Sequence, residues 1–177
     1  MTKSHLRSGV LLLCLLSFGT GFSADNEKQL TVVEEIFKCL EEMTKAEGTM
    51  YFVDNLLGNV DETLAIATSD TGGTFPAGSV ISMVPNEVMI KHEEGWNPES
   101  NDWEFFLLEV SAEGTSIASR GGIEVSNRAG SCMGCHALAR PEWDLVCSND
   151  HGCAPIPFSR EQIRAVQQQD PRCVRED

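Results

Sequence analysis

Between Thr49 and Val125 the chain breaks into short apolar runs, none long enough for a stable isolated helix: Met50–Val53, Leu64–Thr68, Val80–Val84, Glu87–Ile90, Trp103–Val110, Ser116–Ser119 and Ile123–Val125. Between them fall the turn residues Gly72-Gly73, Pro76-Ala77-Gly78, Pro85-Asn86, Asn97-Pro98 and Gly121-Gly122. Parallel neighbours would need crossovers of about a dozen residues, usually helical, whereas runs separated by such turns pair as hairpins. The pattern therefore predicts an antiparallel sheet. On either side the period changes. Thr31-Val32-Val33-Glu34 reads as a capping box, followed by Val33, Ile36, Phe37 and Leu40 at helical spacing to about Met43. Beyond Asn127 the spacing predicts a short helix at Ser131–Leu138 and a last one opening at Ser159-Arg160-Glu161-Gln162. The expected class is α+β: mainly antiparallel sheet, with an N-terminal helix and a C-terminal helical segment.

The first residues read as a secretory signal: Lys3 and Arg7, the apolar run Val10–Phe18, then the small residues of Gly21-Phe22-Ser23-Ala24. Cleavage after Ser23 keeps a small-x-small pattern with Gly21, leaving residues 24–177 as one expected domain. Cys14 lacks the small residues that a lipid-anchor signal would place before it. The apolar run is shorter than the roughly 20 residues of a membrane span, and no later stretch is longer. The chain is therefore expected to be exported, and periplasmic in a bacterium. Its formal charge of −14 disfavours nucleic acid and anionic membranes; it suits solubility first, and a cationic redox partner second.

Chemistry concentrates in Cys132-Met133-Gly134-Cys135-His136, a C-x-x-C-H run. Two thiols one helical turn apart can add to two vinyl groups on one porphyrin edge, and the next residue places an imidazole at the iron. The same C-x-x-C also serves thioredoxin-like redox pairs, zinc half-sites and plain disulfides. A redox pair wants a preceding βαβ unit, which is missing, and zinc wants two more ligands at close spacing. The expectation is a single covalent haem c, held by Cys132 and Cys135 with His136 as iron ligand, on the C-terminal helical segment.

With Cys14 removed and two thiols assigned to haem, Cys39, Cys147, Cys153 and Cys173 remain, an even number in an oxidising compartment. Three pairings are open. The turn-rich Ser148-Asn149-Asp150-His151-Gly152 favours Cys147 with Cys153, leaving Cys39 for Cys173. His92, beside Lys91 and Glu93, and His151, inside that loop, read as surface residues. Met50, Met83 and Met89 sit on strand-like runs where core packing is the ordinary role. Arg120, Arg128 and Arg140 flank the haem segment and are candidate propionate partners, with solvent as their default.

The segment Phe75-Pro76-Ala77-Gly78-Ser79-Val80, the aromatic strand Asn101-Asp102-Trp103-Glu104-Phe105-Phe106 and a C-x-x-C-H after the sheet together resemble the cytochrome P-460 family, which includes the cytochromes c′-beta. The tail from Trp143 through Cys147, Cys153 and Asp170-Pro171-Arg172-Cys173 looks like a disulfide-bearing subgroup. The resemblance implies a largely β fold, often a homodimer, with five-coordinate haem open on one face. Members named for their altered haem carry a cross-linking lysine five positions after the glycine matched by Gly78. Here that position is Met83, which suits the apolar wall of the nitric-oxide-binding members; Lys91, in what reads as a solvated turn, is the weaker alternative for a cross-link. Binding or processing of nitric oxide, hydroxylamine or peroxide is the leading implication, with oxidoreductase activity possible. A six-coordinate electron-transfer cytochrome is the alternative.

Overall fold

A computed structural model describes residues 30–148 and 150–173; the signal-peptide reading of residues 1–23 falls outside them. Six strands form one antiparallel sheet in sequence order: β1 (Thr44–Lys45), β2 (Phe52–Asn55), β3 (Ser79–Val84), β4 (Glu87–Lys91), β5 (Trp103–Ser111) and β6 (Gly114–Gly121). β7 (Ser126–Asn127) and β8 (Gly130–Ser131) make a separate small hairpin. Among the described residues three α-helices accompany them: α1 (Val60–Ala67), α2 (Cys132–His136) and α3 (Arg160–Gln168). The α+β class and the antiparallel meander are as the sequence predicts. Among the described residues no helix is long and apolar enough to cross a membrane.

Strand alternation sorts the core into two layers. Val53, Ile81, Met89, Trp103 and Phe105 face one side, with Tyr51, Phe75, Ala67, Val125 and Val146 packed over them. Val80, Val88, Ile90, Phe106 and Leu108 face the other, under Val32 and Phe37. The first layer carries the C-x-x-C-H segment: Cys132, Met133, Leu145, Met83 and Leu107 are half-buried against it.

Three expected elements come out differently. The helix expected over Thr31–Met43 is replaced by two 3-10 turns, Glu34–Ile36 and Leu40–Glu42. Its carbonyls find partners elsewhere: Val32 O accepts from Arg120 at 3.1 Å, and Phe37 O from Thr115 at 3.0 Å and Arg172 at 3.2 Å. Leu64–Thr68, expected as a strand, lies mostly within α1. Thr63 and Ala67, one turn apart, are its buried face, and the acids Asp61 and Glu62 in the first turn favour the helix dipole. Ile123–Val125 is irregular and leads into β7. By contrast α3 opens on the expected capping box, Ser159 with Gln162.

Both disulfides match the favoured pairing: Cys39–Cys173 and Cys147–Cys153. The first closes a loop of sequence separation 134, which in the chain-entropy model is worth about 5 kcal/mol. The second closes the loop that follows α2. The segment joining α2 to that disulfide loop touches the Gly72-Gly73 turn, where Gly73 N donates to Glu142 O at 2.8 Å. Gly72 has φ +75°, and a Cβ there would lie 2.0 Å from Glu142 O. Gly72→Ala is therefore expected to destabilise the fold by about 2 kcal/mol, through both strain and the forced retreat of the loop. A urea midpoint indistinguishable from wild type would contradict this.

Candidate functional site

The site begins at the β7–β8 hairpin, which delivers the chain to α2 with Cys132 N bonded to Val125 O at 3.0 Å. Ser131 caps the helix, its hydroxyl accepting from Gly134 N at 3.1 Å. Cys132 and Cys135 thus stand one turn apart, with His136 following at i+4 from Cys132. These two cysteines are the free ones among the described residues; Cys132 is half-buried and Cys135 exposed.

His136 is held in place from two sides. Its Nδ1 lies 2.7 Å from Leu145 O, and Phe105 meets its ring edge-on at a centroid distance of 5.0 Å. A carbonyl only accepts, so Nδ1 carries the proton and Nε2 keeps a lone pair. Burial pushes the imidazole's pKa down, against an opposing pull from the Leu145 bond, which favours the neutral, ligand-competent form. Sequence reasoning finds the histidine but misses this partner, because a backbone carbonyl carries no side-chain signature.

Burial, and next the Glu87 carboxylate, push the Cys132 thiol up. A redox-active C-x-x-C needs the reverse, a thiol driven down by positive charge or a helix dipole. Nor do these residues join a ready-made zinc site: among the described residues the one convergent group of metal-type ligands is Cys39, Glu41 and Cys173, two of which share a disulfide. The chemistry on offer is that of two addition-competent thiols beside an imidazole with a free Nε2.

Asp144 directly precedes Leu145. These two consecutive residues adopt left-handed backbone, φ 47° and 63°. The Asp144 carboxylate accepts from Phe75 N at 2.9 Å, from Lys91 Nζ at 2.9 and 3.0 Å, and from the Asn101 side-chain amide. Its own carbonyl takes Trp103 Nε1 at 2.7 Å. Lys91 is therefore buried and paired, correcting the solvated-turn reading; its partner lies 53 residues away in sequence. His92 is buried too, 2.8 Å from Glu104 and stacked on Trp96. His151 is buried against Trp143, with Nδ1 2.6 Å from Val146 O. None of these three is the surface group expected. Arg120 bonds Glu104 and Arg140 bonds Glu142, both within the protein.

No family model, curated protein or solved structure matches this chain. The site must therefore be read from its own geometry.

Met83 sits at a bulge. Ser82 pairs with Val88 and Val84 with Glu87, leaving Met83 without a partner on β4. Its carbonyl instead accepts from Gln167 Nε2 at 2.8 Å, and Ser82 Oγ donates to the carbonyls of Val84 and Glu87. Bulges of this kind re-aim side chains beside functional sites. Here the Met83 side chain packs on the same apolar layer as Cys132, Met133 and Leu107. Met50 and Met89 are buried core residues, as expected.

Proposed function

We propose that this chain is an exported c-type haem protein, with one haem joined by thioethers to Cys132 and Cys135 and ligated through Nε2 of His136. The observation that carries the reading is the His136 Nδ1 bond to Leu145 O: it fixes the tautomer that presents Nε2 to a metal, the arrangement found behind most metal-ligating histidines. Four of the six cysteines in the described segment are closed in disulfides, while the pair in the C-x-x-C-H remains free. Each thiol adds S–H across a vinyl C=C, a redox-neutral step that needs no oxidant. Bound there, a haem iron would supply a coordination position for small ligands.

On this side of the sheet Met83, Leu107 and Phe105 offer an apolar surface, and the Glu87 carboxylate, which acts on Cys132, is engaged by the Asn127 amide at 2.8 Å. Such surroundings favour a neutral diatomic such as nitric oxide over peroxide, whose heterolysis wants proton transfer. Met83 also stands where the cross-linking lysine of the resembling family would be, and Lys91 Nζ is engaged by Asp144 and Asn101. The haem should then carry no third covalent bond.

The test is the intact mass and spectrum of the full chain expressed with haem-maturation machinery. The expected denatured mass is that of the processed chain plus one haem, less the hydrogens of two disulfides, and the expected iron is high-spin and takes up nitric oxide. Absence of covalently retained haem overturns the proposal. Low-spin, six-coordinate iron in both oxidation states would instead favour electron transfer, with Met83 the first candidate for the sixth ligand. A strongly red-shifted ferrous Soret band with a lysine-bearing haem peptide would point to hydroxylamine chemistry.

A further inference from the structure

The buried Lys91–Asp144 pair lies outside the C-x-x-C-H run, yet only one peptide unit separates Asp144 from the carbonyl that binds His136. We infer that Asp144 is a positioning residue for His136: clamped by Lys91, it holds Leu145 in the conformation that aims its carbonyl at Nδ1.

The geometry closes link by link. Lys91 ends β4, facing the layer that includes Trp103, and its ammonium lies 5.2 Å from that indole ring. With side-chain exposures of 7 % and 2 %, Lys91 and Asp144 have little water to replace either partner. Around Asp144 four protein donors converge and make five hydrogen bonds, four to the carboxylate and one to the backbone carbonyl, from three separate segments: Phe75, Lys91, and the Asn101–Trp103 stretch. A loop needs no such anchorage merely to cross the sheet. What this anchorage fixes is two successive left-handed residues, conformations that side chains other than glycine adopt at a local cost and keep when the surroundings over-determine them. The output of that strained pair is the Leu145 carbonyl, 2.7 Å from His136 Nδ1. A carbonyl held rigidly there fixes the tautomer and, with a metal on Nε2, sets how much electron density the imidazole gives it.

The inference rests on the haem reading for its consequence, but its first test does not need haem. In the full chain prepared haem-free with its disulfides formed, ¹⁵N NMR should show neutral His136 wholly as the Nδ1–H tautomer. Lys91→Met changes a residue on β4 that makes no hydrogen bond to His136; its Nζ bonds Asp144 and Asn101 O, and of these two partners Asp144 is the one joined to Leu145. A mixture of tautomers is expected. Because Lys91→Met strands the buried Asp144 carboxylate without its counter-charge, the charge-free pair Lys91→Met with Asp144→Asn is made alongside. Asparagine tolerates the left-handed backbone as aspartate does, so this variant separates the clamp from the backbone preference, and the same mixture is expected. In the holoprotein the ferrous iron–histidine stretching band should move to lower frequency in both. Wild-type tautomer and band in the folded double variant would overturn the inference. If wild type holds no haem, the proposed function fails but the ¹⁵N result still decides the role of Asp144; if haem is present and the tautomer is unmoved, only this inference falls.

Discussion

Replacing Cys132 and Cys135 together by alanine is expected to abolish covalent haem retention while leaving the fold in place. On the proposed reading each thioether would form where a thiol hydrogen and sulfur add across one vinyl group, so the double variant would have no sulfur left to make the bond. The stability effect should be small by comparison. Cys135 is exposed and Cys132 only half-buried, so truncation removes little packing, about 1 kcal/mol or less. A single substitution should leave one thioether. His136→Ala should behave differently again: the haem stays on the chain after denaturation, but the iron loses its protein ligand and the spectrum changes. Denatured mass, paired with the urea midpoint of each variant, separates these outcomes. Haem retained by the double variant would show that attachment lies elsewhere in the chain.

The contrast between what the sequence disclosed and what it hid follows the range of the interactions. The strands from Val80 to Ser119 were legible because their information is local: alternation puts Ile81, Met89 and Phe105 on one face, and Pro85-Asn86 marks the tight β3–β4 connection. The disulfide set was legible through parity and one turn-rich loop. The C-x-x-C-H spacing was legible because helical geometry fixes which residues share a turn. Most of the failures are partnerships across long separations. Lys91-His92-Glu93-Glu94 reads as a solvated charged stretch until Asp144 and Glu104 are brought onto its first two members. Residues 31–43 have helical periodicity, but Arg120, Thr115 and Arg172 take the carbonyls of Val32 and Phe37. Helix propensity is a weak preference that such side-chain bonds and a disulfide readily outweigh. Leu64–Thr68 failed for a different reason: its β-branched residues outweighed the alternating alanines, although Thr63 and Ala67 already stood at helical spacing.

The same long-range logic predicts a strongly damaging single substitution away from the C-x-x-C-H segment, Asp170→Ala. Asp170 is buried just past the end of α3, and four hydrogen bonds reach its carboxylate. It accepts from Leu40 N at 3.0 Å, from Arg172 N at 3.1 Å, from Arg172 Nε at 2.9 Å and from an Arg172 terminal nitrogen at 2.7 Å. Arg172, with 5 % side-chain exposure, then spends its remaining donors on Phe37 O and Pro85 O. Alanine would leave that guanidinium buried without its counter-charge and Leu40 N without its acceptor. Breaking a buried pair in this way costs about 3–5 kcal/mol. The neighbouring Cys39–Cys173 bridge keeps the two segments tethered, so the loss should appear as a lowered urea midpoint rather than as a detached terminus. The pH dependence carries the sign of a depressed acid. Burial is the largest single influence on the Asp170 carboxyl and opposes ionisation, but the bonds from Arg172 and Leu40 together outweigh it and hold the carboxyl below the ordinary aspartate range. The stabilisation is therefore fully present above the pKa of an unfolded aspartate and is lost as pH falls through the lower, folded value. Wild type should lose stability on acidification through that window, and Asp170→Ala should show less of that loss. Parallel curves for the two proteins would mean that the carboxylate contributes no net stability as an ion.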